Sequence, residues 1–93
     1  MPGAELGDFF EHHAQKDYEA ALADCGRALE AFPGNALILY NVACAQSLLG
    51  RDDEALATLR TAVEAHPRFK DNAREDDDFA SLREDPRFVE LVS

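Results

Sequence analysis

Residues 17–33 read DYEAALADCGRALEAFP and residues 51–67 read RDDEALATLRTAVEAHP. Laid over each other, the two segments are one pattern displaced by 34 residues. Ala21 answers to Ala55, Leu22 to Leu56, Cys25 to Leu59, Ala28 to Ala62, Leu29 to Val63, Glu30 to Glu64 and Pro33 to Pro67. In each copy the apolar residues recur every three or four positions, which is one face of an α-helix. Proline cannot continue a helix, so the pattern predicts helices over 18–32 and 51–66, ended by Pro33 and Pro67. Asp52, Asp53 and Glu54 fall in the first turn of the second copy and His66 in its last turn, as the helix dipole favours. An internal repeat of this period is the mark of a stacked helical array.

A further helix is expected over 36–49, with Gly50 as its C-terminal cap. It carries two apolar stripes. Leu39, Val42, Ala43 and Leu49 lie on one side, together with Gln46, and Leu37, Tyr40, Cys44 and Leu48 on another. A helix apolar nearly all round is buried on both sides, or buried on one and used for binding on the other. A weaker helix is expected over 5–15, with Leu6, Phe9, Phe10 and His13 on its less polar face and Gly7 weakening it.

After Pro67 the repeat stops. The tail breaks into Phe69–Arg74, the acidic run Glu75–Asp78, the segment Phe79–Leu82, and a last helix opened by Asp85 and Pro86. Phe88, Val89, Leu91 and Val92 are that helix's apolar residues. Phe79, Leu82, Phe88 and Leu91 are expected to cover the open face of helix 51–66, because a helical hairpin cannot bury its apolar side alone.

Sixteen alanines and eleven leucines, against seven Val, Ile and Thr, make a helical composition with no sheet expected. A length of 93 residues is one domain. Acids outnumber bases 19 to 9, so nucleic acid and an anionic membrane are excluded as default partners. Residues 31–50 carry no charge, but Pro33, Gly34, Asn35, Asn41, Gln46 and Ser47 interrupt them. The helix that remains is about 21 Å long, too short to cross a bilayer. The N-terminus has no basic start, no long apolar run and no small-residue cleavage site, which is read as no signal peptide and a cytoplasmic location. Two cysteines do not make a disulfide framework.

The 34-residue helix–turn–helix period resembles the tetratricopeptide repeat. The best match is residues 36–67. Leu39 stands at the family's large residue, Val42-Ala43 at its Leu-Gly pair, Gly50 at the turn, and Ala55, Leu59, Ala62 and Pro67 along the second helix. Gln46 departs from the family's usual aromatic. The preceding copy keeps its second helix through Tyr18, Ala21, Ala28 and Pro33. Its first helix is degenerate, with Asp8-Phe9 at the Leu-Gly pair and Lys16 at the turn. Tyr40-Asn41-Val42-Ala43-Cys44, Leu48-Leu49-Gly50, Asp78-Phe79, Leu82-Arg83 and Asp85-Pro86-Arg87-Phe88 resemble the terminal repeat and tail of bacterial tetratricopeptide arrays. The resemblance implies an all-α fold: tetratricopeptide-type hairpins in a short right-handed solenoid with a C-terminal helical cap. Its divisions would be a degenerate repeat over 4–33, a second over 34–67, and a cap of short helices over 68–93.

No residue pattern asks for catalysis. His12, His13 and His66 with Cys25 and Cys44 match no zinc spacing. Cys25 lies on the packing stripe where the second copy has Leu59, so it reads as a small buried hydrophobe. Cys44 is mid-helix with no Lys or Arg beside it, so nothing in sequence activates its thiol. The run Glu75–Asp78 lacks the glycine and distal Glu of a calcium loop and reads as capping for the segment at Phe79. No phosphate loop or nucleophile elbow is present. A non-enzyme with no metal and no cofactor is expected.

The function is expected in the surface. By the resemblance, first helices line a concave groove that holds peptides. Here that groove would be Leu37, Tyr40, Asn41, Cys44, Ser47 and Leu48, joined by Phe10 and His13 from the degenerate helix. Tyr40 is the expected anchor and Asn41 the residue that holds a partner's backbone. Tyr40→Ala is therefore expected to cost less stability than Leu39→Ala. The alternative is a homodimer whose second copy, or a tail that itself, covers this face.

Overall fold

A computed structural model describes residues 18–93 of the chain. The expected helix over 5–15, and with it Phe10 and His13, lies outside the described residues. Among the described residues every regular element is helical and none is a strand.

The first helix, α1, covers residues 18–31. Leu22, Cys25, Ala28 and Leu29 are its half-buried stripe, as the repeat requires. Ala21, placed on that stripe by its match to Ala55, is exposed instead. The residues that would face it in the repeat precede residue 18.

Helix α2 is Ala36–Leu48. Asn35 begins it by accepting a hydrogen bond from the Ile38 N–H at 3.0 Å, which satisfies one of the orphan donors of the first turn. Its C-terminus closes in a Schellman arrangement. The Gly50 N–H donates to the Ser47 carbonyl at 3.0 Å and the Arg51 N–H to the Gln46 carbonyl at 2.8 Å. That geometry needs a left-handed residue, and Gly50 supplies it with φ of 78°. Helix α3, Asp52–Ala65, then runs back along α2. Across the turn, the Arg51 guanidinium meets the Glu19 carboxylate of α1 at 3.2 Å. Both partners are well exposed, so the pair orients the turn more than it stabilises it.

The α2–α3 hairpin closes on small residues. Ala43, Ala55 and Ala62 are each 0% exposed, which lets the helices approach closely. Leu59 is equally buried and fills the space between them.

The tail consists of α4 (Phe69–Glu75), a 3-10 turn (Asp77–Leu82) and α5 (Pro86–Leu91). Asp76 is extended between the first two, and its carboxylate accepts from the Asp78 N–H at 3.0 Å. Asp85 caps α5 in the same way, accepting from the Arg87 N–H at 2.9 Å, with Pro86 in the first turn where a missing N–H costs nothing.

One core runs through hairpin and tail. Phe79 and Leu82 are completely buried, Phe88 is 2% exposed, and Leu91 packs at the margin. These are the residues expected to close the hairpin. The 3-10 turn, however, packs on α2, while α4 and α5 touch α3. The tail therefore covers both helices of the hairpin and not α3 alone.

Candidate binding face

Helix α2 carries no charged side chain, and the tail divides its second apolar stripe in two. Tyr40, Cys44 and Ser47 are 6%, 8% and 3% exposed. These three were expected to line an open groove, and the structure corrects that expectation. The Tyr40 ring stacks on Phe69 with centroids 4.8 Å apart and planes 20° from parallel, and meets the edge of Phe79 at 5.7 Å. Its hydroxyl donates to the Asp76 carboxylate at 2.9 Å. Two aromatic residues and one acceptor, all from the tail, thus enclose the ring. Aromatic pairs in such geometries hold together beyond simple area burial.

The chemistry of this corner is acidic. Burial raises the Tyr40 phenol well above its ordinary pKa, and the bond to Asp76 adds to the shift. Burial likewise raises the Cys44 thiol, and the carboxylates of Asp76 and Asp78 push it further. The Asp78 carboxyl is itself raised, first by desolvation and then by the charge of Asp76. Raised in this way, the Cys44 thiol holds its proton more firmly than a free cysteine. Cys25, half-buried on α1, is also raised, by burial and by Asp24.

The other half of the stripe is open. Leu37 is 58% exposed, Leu48 is 37% exposed, and Asn41 is exposed between them. Spacings of four and seven residues put all three on one line along α2. Phe32, in the turn before α2, is 62% exposed. Leu37 also borders a cleft of about 520 Å³ between the starts of α2 and α4. The remaining lining is Asn35, Ala36, His66, Arg68, Phe69 and Asn72. Among the described residues no acid lines this cleft.

Sequence reasoning placed Phe79 in the core but missed that it meets Tyr40, and it assigned Phe69 no role. The acidic run was read as capping, and Asp76 does cap the 3-10 turn. Its second bond, to a phenol 36 positions away, left no local signal.

Among the described residues no helix is long and apolar enough to cross a membrane. No curated protein and no solved structure matches the chain. A family model does match, and it spans residues 12–85, which takes in both displaced segments, 17–33 and 51–67, and most of the tail. With that match, the chain belongs to the tetratricopeptide repeat family.

Proposed function

We propose that this protein is a non-catalytic interaction module whose exposed stripe on α2, Leu37, Asn41 and Leu48, receives an apolar segment of a protein or peptide partner. Tetratricopeptide repeats generally mediate protein–protein interaction. The observation that carries the reading to this face is the exposure of Leu37 and Leu48 on a helix with no charge, in a chain that is 30% charged. Solubility alone favours Glu or Arg at such positions, and large apolar side chains left exposed there suit an interaction surface. Asn41 stands between the two leucines, where its amide offers a donor and an acceptor to an extended backbone. Tyr40 and Cys44 lie beneath the tail and Ser47 is buried, so these three contribute by holding α2 in place.

The alternative occupant is a second copy of the chain, and a further exposed aromatic, Phe32 in the turn before α2, favours weighing it. One experiment separates the readings. The wild type and a Leu37→Glu/Leu48→Glu variant are compared by sedentimation equilibrium and by retention of proteins from the native host. The proposal expects a monomer that retains a partner, loss of that partner in the variant, and an unchanged melting temperature. A wild-type dimer that the variant dissociates selects the homodimer. Equal partner retention by both proteins refutes the assignment of this face.

A further inference from the structure

The cleft between the starts of α2 and α4 carries a charge opposite to that of the molecule. Acids outnumber bases 19 to 9 in the chain, yet among the described residues the cleft is lined by Arg68 and by no carboxylate. Its buried lining, Ala36 and Phe69, is apolar, and exposed Leu37 borders it. The remaining groups can donate hydrogen bonds. Arg68 is exposed, and a guanidinium only donates. Five other arginines each meet a carboxylate, whereas Arg68 meets none among the described residues. The Asn35 side-chain oxygen is taken by the Ile38 N–H at 3.0 Å, which leaves the Asn35 amide N–H groups to face a ligand. Asn72 brings a second amide, and the His66 ring sits edge-on to Phe69 with centroids 5.8 Å apart.

We propose that this cleft takes one acidic side chain, Asp or Glu, of an extended partner segment whose apolar residues lie on Leu37 and the stripe beyond it. The inference rests on the reading of that stripe as the binding face and adds the partner's charge. A carboxylate entering the cleft meets the Arg68 guanidinium without a competing acid among the described lining, and an arginine–carboxylate pair of this kind is charge-assisted and directional. The amides of Asn35 and Asn72 offer donors to the carboxylate's remaining lone pairs. The cleft's volume of about 520 Å³ exceeds what one carboxylate fills, so the partner's chain continues past it over Leu37. The net charge of -10 sets the limit on the partner. It repels an acidic run, but screening over about 8 Å at physiological salt leaves a single carboxylate under the local field of Arg68.

The probe is a displayed library of random short peptides, fused at their C-termini so that an acid comes only from a side chain. It is panned on the full chain as wild type, as Arg68→Glu and as Leu37→Glu/Leu48→Glu. The wild type should select peptides with one Asp or Glu beside apolar residues. Arg68→Glu should keep the apolar selection and exchange the acid for Lys or Arg. With one selected peptide, Arg68→Ala should weaken binding about two- to fivefold, and replacing the peptide's acid by its amide should weaken the wild type by the same factor but leave Arg68→Ala unchanged. Arg68 is exposed, so circular dichroism should show both variants folded as the wild type is. Apolar peptides selected without an acid, or an acid preference unchanged in Arg68→Glu, overturn the inference and leave the stripe standing. Equal selection by Leu37→Glu/Leu48→Glu refutes the stripe, while an acid preference that still follows Arg68 upholds the cleft. A wild-type dimer that Arg68→Glu dissociates seats a second copy there and overturns the partner. No selected peptide at all overturns both readings.

Discussion

Replacing Tyr40 with alanine removes a ring held by three residues of the tail, Phe69, Phe79 and Asp76. The side chain is 6% exposed, stacked on Phe69, edge-on to Phe79 and hydrogen-bonded to Asp76. Large aromatic-to-alanine changes in a core cost about 3–5 kcal/mol. Here the cavity opens between α2 and the tail, where the tail's short helices can partly collapse into it, which favours the lower half of that range. The hydroxyl's bond to a carboxylate adds little, because Asp76 is half-exposed and water replaces the phenol. A loss of about 3–4 kcal/mol is large against the roughly 5–10 kcal/mol that holds a domain of this size. At about 4–8 °C per kcal/mol, the melting temperature should fall by at least about 12 °C. Leu39, only partly buried at the margin of the core, should lose less on truncation, about 1–3 kcal/mol. The assay is thermal and urea unfolding of Tyr40→Ala, Tyr40→Phe and Leu39→Ala, followed by helical circular dichroism. Tyr40→Phe, which keeps both ring contacts, should stay within about 1–2 kcal/mol of wild type. Were Tyr40→Ala to melt within a few degrees of wild type, or above Leu39→Ala, the ring would not be core and the enclosed face would be open after all.

Two further outcomes follow from the packing and the caps. Ala62, fully buried where α3 meets its neighbours, has no room for a larger side chain, so Ala62→Leu should cost about 1–3 kcal/mol by urea unfolding, and a neutral result would mean the helix register is wrong. Asp85 is held below the usual carboxylate range by hydrogen bonds from the Arg87 side chain and then from the Arg87 backbone N–H. Its folded pKa is the lower one, so the stability it contributes is complete above the ordinary carboxylate pKa of about 3.9 and is lost as pH falls through the depressed value. Asp85→Asn keeps the cap but cannot titrate, so the gap in melting temperature between wild type and variant should narrow between about pH 5 and pH 2; a constant gap would show that Asp85 is not coupled to folding.

The repeat was legible because it is written in local terms. Spacing of apolar residues, a terminal proline and a turn glycine each act within one or two helical turns, and α1, α2 and α3 fall within a residue or two of their expected limits. The N-cap of α5 and the glycine that closes α2 were legible for the same reason, since Asp85 acts on an N–H two residues away and Gly50 closes the turn locally. The two faces of α2 were not separable from sequence. Leu37 and Tyr40 carry the same apolar signal, and only the tail's return decides that one is 58% exposed and the other 6%. That return depends on Asp76, whose extended backbone turns the chain after α4 and delivers Phe79 to Tyr40. The second role of the acidic run was hidden by its first, because a capping aspartate and a partner for a distant phenol look alike in sequence.

The tail completes the repeat's core and leaves the Leu37–Leu48 edge of α2 open. Deleting residues 76–93 tests it in one measurement, the solution mass and melting temperature of the truncated chain beside the full one. The deletion removes the fully buried Phe79 and Leu82 together with Phe88 and Val92, and uncovers Tyr40 and Cys44. The account predicts a protein that aggregates, dimerises through the uncovered face, or loses most of its helical signal at temperatures where the full chain is folded. A monomer with the melting temperature of the full chain would contradict it.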